Sequence, residues 1–301
     1  MLVSAMALGH GVFAQQAEQV DVCIYGGTSA GIMAAYTAQK HHKKVLLIVS
    51  GKHLGGLTTG GLGYTDIGNK YAITGLARDF YRRVGKEYGK FEQWIFEPSV
   101  ASKVFQQYIR DAKFPMINEY HITKAEKQNG ALTAITVVSE NGSGTSKTIK
   151  AKVFIDCSYE GDLMAAAGVS YTVGREANSV YNETYNGYQL REHHQFPDGI
   201  DPYKTPGQPE SGLLWGISAE QPAQQGSGDN KVQAYNFRIC LTSNPSNKVE
   251  ITRPEAYDST RYELLLRYLA KKPVGDLWGF LKFDLMPNSK TDINNNGPFS
   301  T

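Results

Sequence analysis

The sequence predicts an α/β protein with two regions: a first region with a parallel sheet and a β-hairpin insertion, then a loop-rich α+β region. Two apolar, β-prone runs at 20–25 and 45–49 flank a segment with helical spacing, as in parallel strands joined by a crossover helix. A glycine-rich turn follows each run. Beyond residue 175, proline and glycine become frequent and hydrophobic periodicity fades.

The elements follow in order from spacing and turn residues. Residues 131–139 and 148–155 form the predicted hairpin, because two β-prone runs flank an Asn-Gly-Ser-Gly turn. The second arm is apolar up to Asp156 and is placed back in the parallel sheet. The other predicted elements are helices at 30–42, 73–88, 98–112, 163–168 and 261–272, and strands at 115–120 and 232–241.

The chain divides into three predicted parts: 1–19, 20–175 and 176–301. Residues 1–14 are small and apolar, like the core and cleavage site of a secretory leader, although a disordered tail is the alternative. A leader predicts a periplasmic or secreted protein, and this stretch is too short to span a membrane. The chain ends in a polar segment without a closing helix or strand, so we expect the second region to be truncated.

Composition excludes some functions. The net charge of +2, without a run of lysine and arginine, argues against a nucleic-acid partner. The three cysteines lack CxxC spacing, so neither a disulfide framework nor a zinc site is predicted. Cys23 and Cys157 lie in apolar runs and are interpreted as buried thiols.

The first glycine turn has the order of a Rossmann-like, dinucleotide-binding unit. In a GxGxxG fingerprint, Gly26 holds the first place and Gly31 the third, while Thr28 stands at the second with Gly27 beside it. The N–H groups at the start of the helix would face a diphosphate, and the hydroxyls of Thr28 and Ser29 would add donors. A plain tight turn is the alternative.

One part of the fingerprint is missing. An acid is expected at the end of the second strand, where it holds the ribose of the adenosine half. Val49 occupies that position and Ser50 follows it, so the Ser50 hydroxyl can accept one hydrogen bond where a carboxylate would accept two.

The second glycine loop separates the possible cofactors. Residues 51–63 contain six glycines in thirteen residues, more than a connection needs. A nicotinamide enzyme has no use for such a loop directly after the second strand, whereas an extended FAD would run past it. A flexible surface loop is the alternative.

Several motifs together resemble the N-terminal half of a family of FAD-dependent oxidoreductases. They are DVCIYGGTSAGIMAAYTAQ, KVLLIVSGKHLGGLTTGGLGYTD, GLARDFYRRVGKEYGK, FIDCSYEGDLMAAAGVSYTVGREANSVYNE, SGLLWGIS, VQAYNFRICLT and KTDINNNGPFST. Members are secreted flavoproteins sometimes labelled xanthan lyases, although nothing here resembles a lyase site. The family is longer than this chain, and its C-terminal half carries more of the cofactor site.

The resemblance implies three groups of cofactor-binding residues. The first turn would meet the FAD diphosphate, the second loop would line its ribityl part, and a third turn after the hairpin would complete the site. The residues are Gly26, Gly27, Ser29, Ala30 and Gly31, then His53, Leu54, Gly55, Gly56, Leu57, Thr58 and Thr59, then Asp156 and the segment Tyr159, Glu160, Gly161 and Asp162.

The third turn and the second region hold the ionisable candidates. Asp156, Glu160 and Asp162 are interpreted as caps of the following helix, as cofactor contacts or as acid–base groups. His194, beside His193, is a candidate base, with a solvated loop as the alternative.

Arginine gives two further candidates. Arg175, next to Glu176, is a candidate anchor for a polar substrate or half of a buried ion pair. The same choice applies to Arg238. His194 and Arg175 are the catalytic candidates.

These observations favour an FAD-dependent oxidoreductase that takes a hydride from a small, polar substrate. Export and the tyrosine- and asparagine-rich second region suggest a carbohydrate-like molecule. The alternatives are a carbohydrate-binding or lyase-like protein without flavin, and an inactive fragment of a longer flavoprotein.

Overall fold

A computed structural model describes residues 17–140, 142–193, 195–232, 238–279, 281–294, 296, 297 and 299. The predicted leader at 1–14 and the candidate base His194 lie outside the described residues, so export stays a prediction. Within these ranges, no helix is long and apolar enough to cross a membrane.

The described chain forms two compact units. The first unit comprises 17–60, Tyr71–Glu92 and Pro98–Ser170, and the second comprises 61–70, 93–97 and the described residues from Tyr171 onward.

The first unit is built from six strands and four helices. They are β1 (Glu18–Tyr25), α1 (Ser29–Lys40), β2 (Val45–Val49), α2 (Gly75–Glu87), α3 (Pro98–Ala112), β3 (Met116–Asn118), β4 (Tyr120–Gln128), β5 (Ala131–Ser139), β6 (Ser146–Asp156) and α4 (Asp162–Ala166). The predicted β1-α1-β2 unit and the predicted hairpin of β5 and β6 are confirmed.

The six strands form one sheet in the order β3-β2-β1-β6-β5-β4. Strands β3, β2, β1 and β6 are parallel, and β5 and β4 continue the sheet in antiparallel pairing. Strand β6 therefore rejoins the parallel sheet, as predicted. The α/β class is confirmed, and the carboxyl ends of β2, β1 and β6 are neighbours at one edge.

The core of the first unit is apolar and continuous. All five residues of β2 are buried, as a strand covered on both faces requires. On the helices, Tyr36 of α1 meets Tyr108 of α3 edge to face at 5.0 Å. The hydroxyl of Tyr108 donates to Asp79 of α2 at 2.6 Å, so the buried phenol is satisfied.

The cysteine prediction is confirmed in part. Cys23 is buried, and burial raises the pKa of its thiol to about 12. Cys157 is only half-buried, because it follows the last residue of β6, and burial there also raises its pKa. Both thiols are free, as is the exposed Cys240.

The second unit has little regular structure. It contains α5 (Asn178–Tyr181), β7 (Ile239–Thr242), α6 (Glu263–Lys271), β8 (Lys282–Met286) and β9 (Lys290–Asn294). The three strands form an antiparallel sheet in the order β7-β9-β8. The strand predicted at 232–241 is confined to β7 among the described residues.

Three strands and one short helix were not predicted. Strand β4 is rich in charged residues and lacks clean alternation, so its sequence resembles a loop. Strands β8 and β9 were missed because their inward faces carry acids. Asp292 is fully buried and accepts a hydrogen bond from Arg238 Nε at 2.8 Å.

Candidate functional site

The first glycine turn requires glycine at two positions. Gly26 has φ of +112°, and a Cβ there would lie 2.4 Å from the carbonyl carbon of Cys157. A Cβ on Gly31 would lie 1.9 Å from the carbonyl oxygen of Gly26. The turn therefore closes tightly and α1 packs against the strand, which are the roles of the first and third fingerprint glycines.

The buried side chain of Thr28 caps the N-terminus of helix α1. Its hydroxyl accepts a hydrogen bond from the N–H of Gly31 at 3.3 Å and donates to the carbonyl oxygen of Cys157 at 2.8 Å. The side chain is buried and its one proton is used within the protein. In this structure the hydroxyl holds β6 against α1, and a contact of Thr28 with a diphosphate stays a prediction.

The start of α1 keeps a free donor. A helix leaves its first N–H groups without intrahelical partners. The N–H of Ser29 faces the carbonyl oxygen of Gly55 in the parallel bridge between Thr28 and Gly55, whereas among the described residues the N–H of Ala30 has no hydrogen-bond acceptor. Ala30 is exposed, so this donor and the positive end of the helix dipole can meet an anion.

The second glycine loop is joined to the first turn. The N–H of Gly55 donates to the carbonyl oxygen of Gly27 at 2.9 Å. Gly55 has φ of +91°, and a Cβ there would lie 2.5 Å from Cγ2 of Thr59. Inside the loop, the Thr59 hydroxyl donates to the carbonyl oxygen of Leu54 at 2.6 Å and lies 2.8 Å from Nε2 of His53. The loop is thus internally hydrogen-bonded.

The third turn is held by Asp156. Its carboxylate accepts from the N–H and hydroxyl of Ser158 at 2.9 and 2.7 Å, and from the N–H of Met164 in α4 at 2.8 Å. Side-chain capping, one of the three readings of the acids, therefore belongs to Asp156.

The other two acids of the turn do not cap. Glu160 is exposed, and Asp162 lies in the first turn of α4 without forming a side-chain cap. The pKa of Asp162 is raised, chiefly by loss of hydration and then by the charges of Glu160 and Asp156.

Tyr159 connects the third turn to the second loop, a contact that was not predicted. Its hydroxyl accepts from the N–H of Leu57 at 2.7 Å. A Cβ on Gly56 would lie 2.1 Å from the same hydroxyl, so the phenol sits directly on the loop backbone. The three turns at the ends of β1, β2 and β6 therefore form one hydrogen-bonded cluster, which we call the turn cluster (26–31, 53–59 and 156–162).

The remaining predicted residues lie apart from the turn cluster. Ser50 is exposed and follows β2 directly. In the second unit, Arg175 pairs with Asp229 through two hydrogen bonds, one from Nε at 2.8 Å, and not with Glu176. Arg238 pairs with Asp292 in the same way. Both arginines thus hold structure, and the catalytic role of Arg175 stays a prediction.

A cavity of about 960 Å³ lies within the second unit. Its lining is mainly apolar and aromatic, with Asp198 and Arg261 as the charged members, and the Arg261 guanidinium stands over the ring of Trp215 at 5.4 Å. A volume of this size suits a small-molecule ligand. In the described part of the chain, no group of three or more His, Cys, Asp or Glu residues could hold a metal ion.

The model of the family described as "FAD dependent oxidoreductase" matches residues 21–301. The chain belongs to this family, and its cofactor is FAD. A comparison with curated proteins found no match.

Several solved structures share part of the fold. A 3-ketosteroid dehydrogenase from Rhodococcus jostii is 10% identical, with a TM-score of 0.33 over 48% of this chain and 47% of its own. L-proline dehydrogenase from P. horikoshii is 12% identical, with a TM-score of 0.40 over 54% and 59%. A flavoprotein/dehydrogenase from Cytophaga hutchinsonii is 17% identical, with a TM-score of 0.40 over 52% and 44%. This chain therefore spans less than two thirds of each, and similarities this low do not bear on activity or substrate.

Proposed function

We propose that the turn cluster binds FAD and that the protein is an oxidoreductase acting on a small, polar substrate. The free N–H of Ala30 and the positive end of the α1 dipole carry this proposal. A diphosphate is the part of FAD that such a helix start recognises. Gly27 lets the turn pack against Val49, because a Cβ there would lie 2.6 Å from Cγ1 of Val49. The residues present fit the cofactor, since the tight glycine turn leaves the helix start open.

The other two turns are proposed to line the rest of the cofactor. Loop 53–59 would face the ribityl part, with Gly55 and Gly56 providing backbone without side chains. The third turn would face it through Tyr159, Glu160 and Asp162. In this arrangement Asp156 positions the turn, because its carboxylate accepts two hydrogen bonds from Ser158 and one from Met164 of α4.

Bound FAD supplies hydride-transfer chemistry, while the protein binds and orients the substrate. We propose the cavity of the second unit as the substrate site. The exposed rings of Trp215 and Tyr262 would stack on a polar, carbohydrate-like molecule, and the Arg261 guanidinium would donate hydrogen bonds to its oxygen atoms. A carbohydrate-like substrate remains part of the proposal only.

The test places a charge at the start of α1. Ala30→Glu adds a carboxylate at an exposed position where a helix tolerates or prefers negative charge, so the fold should keep its stability. The same charge repels a diphosphate. We expect the unaltered chain to take up FAD and Ala30→Glu to bind it more than about tenfold more weakly. Equilibrium dialysis with flavin absorbance measures both.

Ala30→Gln is the matched control, because it has the same size without the charge. It should bind FAD within a few-fold of the unaltered chain. A chain that takes up no FAD, or equal binding by Ala30→Glu and Ala30→Gln, would contradict the proposed site.

A further inference from the structure

Glu119 stands beside the strand end where the fingerprint acid is missing. In the sheet, Val49 of β2 is paired with Asn118 of β3, so Glu119 is the next residue along the neighbouring strand. Its N–H donates to the carbonyl oxygen of Gly51 at 3.2 Å. Glu119 is therefore bound directly to the segment that follows β2, one strand away from Val49.

The carboxylate of Glu119 is not committed to the fold. In the described ranges its one partner is Lys52, at 3.3 Å, and the Lys52 side chain is 81% exposed. Ion pairs of this kind are weak and break readily. A Cβ on Gly51 would have no atom within 4 Å, so there is open space beside the pair.

The backbone at Glu119 gives an independent observation. Its φ of +62° is left-handed, a conformation that disfavours a glutamate and suits glycine or asparagine. Asparagines take this conformation at Asn129, Asn182 and Asn288. His42, Lys113 and Ser289 share it, and Glu119 is the one acid among the described residues in this conformation. Such backbone outliers occur preferentially at binding sites.

We propose that Glu119 replaces the acid missing at Val49 and accepts hydrogen bonds from the ribose hydroxyls of the adenosine half of FAD. This inference rests on the proposed function. Adjacent strands lie about 4.8 Å apart, and the Glu119 carboxylate pairs with Lys52 of the segment that follows β2. Glu119 thereby makes the site prefer FAD to FMN, which has no adenosine.

The experiment compares Glu119→Gln and Glu119→Asn with the unaltered full chain, using FAD, ADP and FMN as probes. Losing charge-assisted hydrogen bonds should weaken FAD and ADP binding by about tenfold to a hundredfold. Binding of FMN should not change. Glu119→Asn should melt at the same temperature as the flavin-free unaltered chain or higher, because asparagine suits the left-handed backbone. A merely structural role predicts the opposite, a lower melting temperature.

Glu140→Gln is the control, because Glu140 is an exposed acid whose N–H donates to the carbonyl oxygen of Glu119. It should bind all three probes like the unaltered chain. If the unaltered chain binds FAD and Glu119→Gln binds it equally well, this inference alone is overturned. Equal weakening of FMN and FAD would also overturn it. If the unaltered chain binds no FAD, the proposed function fails and the inference with it.

Discussion

Different interactions stabilise the interior of each of the two units. In the first unit, buried positions form a continuous apolar core that includes every residue of β2. The second unit has only five of the buried hydrophobic residues in the described chain, Phe96, Leu214, Tyr268, Met286 and Ile293. Three further buried side chains in this unit carry charge: Asp284, Asp292 and Glu97.

The two units therefore differ in how much stability a single substitution removes. Burial of apolar surface is additive and tolerant, because each side chain contributes through area. A buried ion pair stabilises weakly as a whole, yet it becomes very unfavourable when one partner is lost. The first unit should therefore respond gradually to substitution, and the second abruptly. All three tryptophans, Trp94, Trp215 and Trp278, lie in the second unit, so their fluorescence reports on it alone.

The largest effect is expected at Asp292. Asp292→Ala leaves the Arg238 guanidinium, whose side chain is 18% exposed, with Asp284 at 3.8 Å as its one acidic partner among the described residues. We expect a loss of about 3 to 5 kcal/mol in the free energy of unfolding, measured by urea titration with tryptophan fluorescence. Replacing both partners, Arg238→Met with Asp292→Leu, should recover most of it. If the double variant is no more stable than Asp292→Ala, apolar packing and not the pair holds this sheet.

A smaller effect is expected in the first unit. Ile48→Val deletes one methylene from a fully buried side chain and should cost about 1 kcal/mol. Far-UV circular dichroism during urea titration measures the change. Ile251→Val is the matched control, since Ile251 is 83% exposed and should show almost none. A tryptophan transition that shifts by the same amount as the dichroism would mean that both units unfold together, which would remove the basis for the comparison.

The same contrast explains which parts of the fold could be predicted. Strand β2 was predicted correctly because a buried parallel strand is apolar at every position, a local property. Strands β8 and β9 could not be predicted in this way. Their buried acids resemble surface residues until Arg238 is found 54 positions from Asp292. The acids of these strands can be buried only because a residue distant in sequence pairs with them.

In the candidate site, too, local features could be predicted and features that depend on distant contacts could not. The need for glycine at Gly26 and Gly31 follows from a local turn, and the sequence predicted it. The inward role of the Thr28 hydroxyl depends on Cys157, 129 residues away, and the contact of Tyr159 with Leu57 spans 102 residues. A glycine pattern thus locates a turn, but the folded chain decides which side chains remain free to meet a ligand.

The smallest effect is a pH dependence in the second unit. The guanidinium of Arg175 lowers the pKa of Asp229 from 3.8 to about 2. Because the folded-state pKa is depressed, the stability from this pair is present above about pH 4 and is lost as the pH falls towards 2. Asp229→Asn should therefore lower the tryptophan-detected urea midpoint at about pH 6, and the difference from the unaltered chain should shrink as the pH falls through this window. A difference that stays constant from about pH 6 to about pH 2 would show that Asp229 acts through its backbone bridge to Arg175, whose two hydrogen bonds at 2.8 and 3.0 Å do not titrate.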